Sequence, residues 1–170
     1  METIDLGETF KYWDVYPKHK SDRVVRMKTL INQNAEERIG QFNTLKVRDW
    51  LLFEIDDYET SIYPLKIRFT PIKTNEVLYA IGWGDAQTNS GHPKLQKLQC
   101  IDNLGAYYYV KNISPDNQPQ GLSGSPVIDK NGYLVGIVSG AEGRLGVIGH
   151  VSYLRELFDR YKIGYRIQDN

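Results

Sequence analysis

Gly121-Leu122-Ser123-Gly124-Ser125-Pro126 sets a serine between two glycines, just ahead of a proline positioned to open a strand. A serine that attacks a carbonyl needs its Oγ at the surface of a cleft while two backbone N–H groups converge on one point. Those donors stabilise the oxyanion that forms, at typically ~2.7–4 kcal/mol for each donor. Glycines on either side allow the backbone turn and keep side chains out of the anion's space. Gly121 and Gly124 stand where that geometry requires them, and Pro126 begins a strand, where its missing N–H is tolerated.

Taken alone, Gly-x-Ser-Gly is also the pattern of a plain turn, so the residues after it matter. Asp129-Lys130-Asn131-Gly132 predicts a hairpin, because Asn-Gly accepts the positive φ angles that tight turns use. Gly132-Tyr133-Leu134-Val135-Gly136-Ile137-Val138-Ser139-Gly140 follows, then Gly146-Val147-Ile148-Gly149-His150-Val151. Ser152 is the expected N-cap of a helix through Tyr161, with Leu154, Leu157, Phe158 and Tyr161 at helical spacing. Further strands are expected at Val24–Ile31, Leu45–Ile55, Leu65–Ile72, Val77–Trp83, Lys97–Ile101 and Ala106–Ile113, giving an all-β chain closed by one C-terminal helix.

In order and spacing, the serine loop, hairpin, Val-Gly-Ile-Val-Ser strand, next strand and closing helix resemble the end of chymotrypsin-like serine peptidases. The resemblance implies a double β-barrel. Residues 1–75 would be a partial first barrel, and residues 76–170 a second barrel carrying the serine loop and the helix. Gly82-Trp83-Gly84 is similar to the segment that opens the second barrel in bacterial members. The resemblance makes Ser123 the nucleophile and the N–H groups of Gly121 and Ser123 the oxyanion hole. Ser139, Gly140 and Ala141 would be the edge that pairs with substrate backbone. Leu122 stands where secreted zymogen-type members carry an aspartate, which points to the bacterial branch of HtrA-like and glutamyl-endopeptidase proteins.

The chemistry also needs a histidine base and an aspartate that orients it. Arg48-Asp49-Trp50-Leu51-Leu52-Phe53-Glu54-Ile55 is similar to the family's aspartate-bearing strand and makes Asp49 the candidate. The family's histidine motif does not occur before it. His19, in Tyr16-Pro17-Lys18-His19-Lys20, is the one histidine ahead of Asp49. Three explanations stay open: a fragment whose opening strands and histidine lie upstream of Met1 or come from a partner chain, a degenerate member that binds peptides without cutting them, or His19 as the base. The fragment explanation accords with a first barrel that looks incomplete.

The family's specificity pocket should have its base near Asn117 and Gln118, with Asp116 close by. Neither amide is charged, so a preference for lysine or arginine is not expected. With His150 on the pocket wall, a small apolar or an acidic side chain would be accepted. His92, in Ser90-Gly91-His92-Pro93, reads as a loop residue.

Bulk properties bound the rest. The 170 residues carry 21 basic and 21 acidic side chains, and this neutral sum gives no support for a nucleic-acid partner. Cys100 is the single cysteine, which rules out an intrachain disulfide and a cysteine zinc cluster. The peptidase resemblance implies no metal or organic cofactor. No apolar run approaches the roughly 18 residues of a membrane span, and Met1-Glu2-Thr3-Ile4-Asp5 is not the start of an apolar signal core. The expected partner is a peptide or protein substrate.

Overall fold

The computed structural model describes residues 13–16, 24–32, 46–55, 64–83, 93–115 and 121–168. The chain divides into two compact units, Met1–Gln41 with Trp50–Pro64, and Phe42–Asp49 with Leu65–Asn170. The last change of unit along the chain falls at Pro64/Leu65. The reason is local: Leu134 N donates to Lys66 O (2.9 Å), and Ile67 N donates to Arg166 O (2.9 Å). These bonds anchor the segment before Ile72 to the second unit.

The first unit holds strands β1 (Trp13–Val15), β2 (Val25–Leu30) and β3 (Phe53–Ile55), paired antiparallel in the order β1-β2-β3. Trp13 packs edge-on against Phe53 with ring centroids 5.1 Å apart. Buried Asn32 ties the sheet's end, donating to Trp50 O (2.7 Å) and accepting from Leu52 N (2.8 Å). The strand expected over Leu45–Ile55 is thus much shorter. Residues 46–48 form a helical turn instead, and only Phe53–Ile55 joins the sheet.

The second unit is a closed antiparallel barrel. Its strands are β4 (Val77–Gly82), β5 (Lys94–Asn103), β6 (Tyr107–Asn112), β7 (Pro126–Ile128), β8 (Leu134–Glu142) and β9 (Leu145–His150), ordered β4-β5-β6-β9-β8-β7. Alternation sends one face of each strand inward, so Leu78, Leu98, Cys100, Tyr108, Val110 and Ile148 share one core. Leu65–Ile72 is not a strand. Ile67 makes only isolated bridges to Leu134 and Ile167, and Ile67 and Ile72 serve as buried anchors.

The Asp129 turn has three residues between its paired ends. Asp129 N donates to Tyr133 O (3.0 Å), and only Gly132 takes positive φ (83°). Asp129 Oδ1 accepts from Asn131 N and Tyr133 N, and its Oδ2 from Arg68 Nη1 (3.1 Å). Helix α1 (Val151–Tyr161) follows β9 without a break and buries Val151, Leu154 and Leu157. Its N-cap is His150, not Ser152: the imidazole Nδ1 accepts from Ser152 N at 3.1 Å, the kind of bond a Ser152 cap would have made two residues further on.

Gly136 marks the tightest crossing of β8 and β9. A Cβ there would overlap the Gly149 carbonyl oxygen and lie 2.7 Å from Ile148 Cγ2 and 2.9 Å from Tyr108 Oη. Backbone is the obstacle, so relief requires the ladder itself to move. Gly136→Ala should cost about 3 kcal/mol, the upper end for overpacked sites. Thermal unfolding followed by circular dichroism checks this, and an unchanged melting temperature would contradict the β8–β9 register.

Candidate active site

Ser123 lies on the connection between β6 and β7, and its loop is pinned to β8. Gly124 N donates to Val138 O (2.8 Å), Val138 N donates to Ser125 O (3.0 Å), and Ser125 N closes a turn onto Leu122 O (2.9 Å). Gly121 (φ 85°) and Gly124 (φ 80°) both occupy the left-handed region, where a side chain would be strained. Leu122 is buried at 3% exposure and plugs the loop into the barrel, while Ser123 faces solvent. The N–H groups of Gly121 and Ser123 make no hydrogen bond among the described residues. The loop is therefore fixed by its neighbours, and its two N–H donors and one hydroxyl take no partner among the described residues.

Gly82, at the end of β4, lets the loop come this close. A Cβ at Gly82 would overlap Ser125 Oγ and lie 3.1 Å from Leu122 Cδ2. The residue types of the serine motif carry no hint of this support from a different strand.

Asp49 belongs to the barrel unit and meets it at Ser139. The β8–β9 ladder shifts register between Val138 and Gly140, which takes Ser139 out of the pairing. Such a bulge re-aims a side chain. Burial raises the pKa of half-buried Asp49, and the Ser139 hydroxyl partly offsets the rise. Ser139 Oγ is itself buried and makes no hydrogen bond of normal geometry among the described residues, so the Ser139–Asp49 contact is close but not fully formed. Val138 and Ser139 are consecutive, so one short piece of β8 holds the serine loop and faces Asp49.

The turn carrying Asp49 has its own attachments. Lys46 Nζ lies 3.7 Å from Glu142 Oε2 and 4.6 Å from the Tyr107 ring centroid. Arg48 sits over the Tyr153 ring at 6.0 Å. Gly149 leaves the space: a Cβ there would lie 2.8 Å from Ser139 Oγ and 3.7 Å from Lys46 O. These cations and this glycine were not identified from sequence, because their partners lie on β6, β8, β9 and α1, far along the chain.

A raised folded-state pKa means the native state keeps its proton to higher pH than the unfolded chain. The stability contributed by the neutral carboxyl is thus present at low pH and is lost as pH rises through the folded pKa. Asp49→Asn stays neutral throughout. We expect it to melt above wild type at neutral pH and to converge with it in acid. Melting temperatures over that range provide the measurement, and a variant less stable than wild type at neutral pH would contradict the buried setting of Asp49.

Other candidates fall differently. His19, His92, Asp116, Asn117 and Gln118 lie outside the described residues. His150, expected on a pocket wall, is instead buried at the head of α1. Its Nδ1 is engaged by Ser152 N, its ring stands edge-on to Tyr108 at 6.1 Å, and burial lowers its pKa. Cys100 sits in the barrel core, where burial first and nearby carboxylates second push its thiol up to about 11, which is an unreactive setting. Among the described residues no three histidine, cysteine, aspartate or glutamate side chains come together as metal ligands, and no helix is long and apolar enough to cross a membrane.

Beside Ser123 is a cavity of about 590 Å³. Gly121, Ser123, Gly140 and Ala141 line it, so those expected site residues share one concavity, whereas Ser139 and His150 are not part of its wall. Beyond Ile137, β8 pairs with β9 on one side only, and the opposite edge from Ser139 to Glu142 has no strand beside it among the described residues. Among the described residues, an exposed serine, two unengaged N–H donors, a cavity and a strand edge without a neighbour thus lie together on the barrel.

No family model matches the chain, and no curated protein matches it in sequence. Solved structures do match it. HBP shares 13% identity over 90% of this chain and 74% of its own, with a TM-score of 0.60. The scabies mite inactivated protease paralogue S-D1 shares 13% identity over 85% of this chain and 72% of its own, with a TM-score of 0.58. Kallikrein-related peptidase 10 shares 14% identity over 67% of this chain, with a TM-score of 0.53, and the chain spans 65% of its length. The fold is that of the chymotrypsin-like serine proteases. The all-β architecture with a closing helix, expected from sequence, is the observed one. At these identities the likeness concerns fold alone.

Proposed function

We propose that this chain is a serine endopeptidase. Ser123 Oγ attacks the carbonyl of a peptide bond as a histidine takes its proton. The oxyanion is held by the N–H groups of Gly121 and Ser123, and the histidine returns the proton to the departing amine. Water then hydrolyses the acyl-enzyme by the same route. Asp49 orients the histidine and stabilises its charged form. The base is His19 or a residue supplied by chain outside this sequence. The observation that carries this function is the Val138–Ser139 step of β8, which fixes the serine loop on one residue and faces Asp49 on the next. The Ser139–Ala141 edge would receive substrate backbone as an added strand. Buried Leu122, in place of an aspartate awaiting a new N-terminus, favours the bacterial HtrA-like and glutamyl-endopeptidase branch.

A second function, a peptide- or protein-binding module without catalysis, has its own support. His150 is the one histidine among the described residues, and it is committed to capping α1. A structural neighbour is also named as an inactivated protease paralogue. A fluorophosphonate probe separates the two: the endopeptidase is labelled at Ser123, whereas a folded sample that resists the probe yet binds an extended peptide is the binding module.

A further inference from the structure

Resting on Ser123 as the nucleophile, the walls of the adjoining cavity carry information about the side chain that enters it. Its volume, about 590 Å³, is within the range of roughly 300–1,000 Å³ typical of ligand pockets and has room for the bulkiest side chains. Ala80, Leu98, Val110, Leu122 and Ile148 are buried residues of its lining and form an apolar floor. The end of the β8–β9 hairpin contributes Gly140, Ala141, Gly143 and Gly146, which take up little of the space.

Polar partners for an incoming head group are scarce. Asn112 also lines the cavity, but its amide is already engaged: Nδ2 donates to Gln96 Oε1 (3.1 Å) and Oδ1 accepts from Ser114 N (2.9 Å). The charged lining residues are Lys111 and Arg144, both cationic and both exposed, so they belong to the rim. No carboxylate lines the cavity among the described residues. A lysine or arginine side chain would pass two like charges and meet no counter-ion among the described residues. A carboxylate would leave water for an apolar floor, with its nearest cations screened by solvent.

We propose that this cavity selects a large apolar side chain, such as phenylalanine, leucine or methionine, on the residue whose carbonyl Ser123 attacks. This differs from the small-apolar or acidic preference expected from sequence, which rested on a neutral, polar base at Asn117 and Gln118 with His150 on the wall.

The test uses the full chain and acetylated tetrapeptide amides that differ only in their last side chain: phenylalanine, leucine, alanine, glutamate or lysine. Amide resonances of Ala141 and Gly146 report occupancy. One methylene in an apolar pocket is worth roughly 10- to 200-fold, so the phenylalanine and leucine peptides should bind at least about tenfold tighter than the others. Tightest binding by glutamate or lysine, no selectivity, or no binding at all would overturn the proposal. A Cβ at Gly146 would press on Val110 Cγ2 at 2.9 Å, so Gly146→Val should remove the phenylalanine advantage by narrowing the cavity. Arg144→Glu, on the exposed turn, leaves the floor intact and should tighten the lysine peptide several-fold while phenylalanine binding holds. Should the valine variant fail to fold, Arg144→Glu alone decides, and an unchanged lysine affinity counts against the proposal. Fluorophosphonate labelling of the same samples keeps the two questions apart. A labelled protein that prefers lysine loses this inference but keeps the peptidase, and an unlabelled protein that prefers phenylalanine does the reverse.

Discussion

Ser123→Ala is expected to erase fluorophosphonate labelling and to lower peptide hydrolysis by on the order of 10⁶-fold, the scale seen when a serine peptidase loses its nucleophile. Its melting temperature should stay within about two degrees of wild type, because an exposed surface substitution away from packed features changes stability by only about 0.5 kcal/mol or less. What holds the loop in place is elsewhere: Leu122 buried in the barrel, and Gly124 and Ser125 bonded to Val138. Intact-mass measurement of the adduct and a thermal melt on the same sample give both numbers. Labelling that persists in the variant would move the nucleophile away from Ser123. A large loss of stability would mean that the hydroxyl is a structural group.

Gly82→Ala should impair the same chemistry while leaving Ser123 in the sequence. Its new methyl group would overlap Ser125 Oγ and crowd Leu122 Cδ2, the two residues that bracket Ser123 and Gly124. The loop must shift to accommodate it, and the first casualty is the aim of the Gly121 and Ser123 N–H groups. Losing one oxyanion donor costs roughly 10²–10³ in turnover, and the labelling rate should fall by a comparable factor. The barrel core itself is not touched, so the variant should still unfold cooperatively. The rate of probe incorporation against time is the direct readout, and a wild-type rate would show that the loop tolerates displacement or does not need its present geometry.

Much of this site was legible because its information is local. Glycines flanking Ser123, the turn at Gly132 and the apolar runs of β8 and β9 lie within about thirty positions, and each constrains the backbone by its own chemistry. Legibility failed where the determinant was a distant partner. Residues 46–48 have the composition of a strand start, yet they coil because Lys46 and Arg48 find Glu142, Tyr107 and Tyr153 on the barrel. Ile67 and Ile72 look like ladder residues and are instead single anchors. β1, only Trp13–Val15, is too short to show a period. The capping role of His150 was not legible, because serine outranks histidine as an N-cap and nothing in Val151-Ser152 marks the preceding histidine as the acceptor.

The way the chain is shared between its two units bears on modularity. Trp50–Pro64 returns to the first unit after Phe42–Asp49 has joined the second, so the barrel's aspartate is encoded inside the sequence of its neighbour. A truncated chain that began at Leu65 would retain Ser123, the cavity and the open edge, yet it would leave Asp49 behind. Gene-level exchange of the barrel as a contiguous cassette would do the same. On the proposed roles, such a cassette would keep the residues that hold a peptide and lose the aspartate that orients the base, so peptide binding is the property expected to survive transfer by a single crossover.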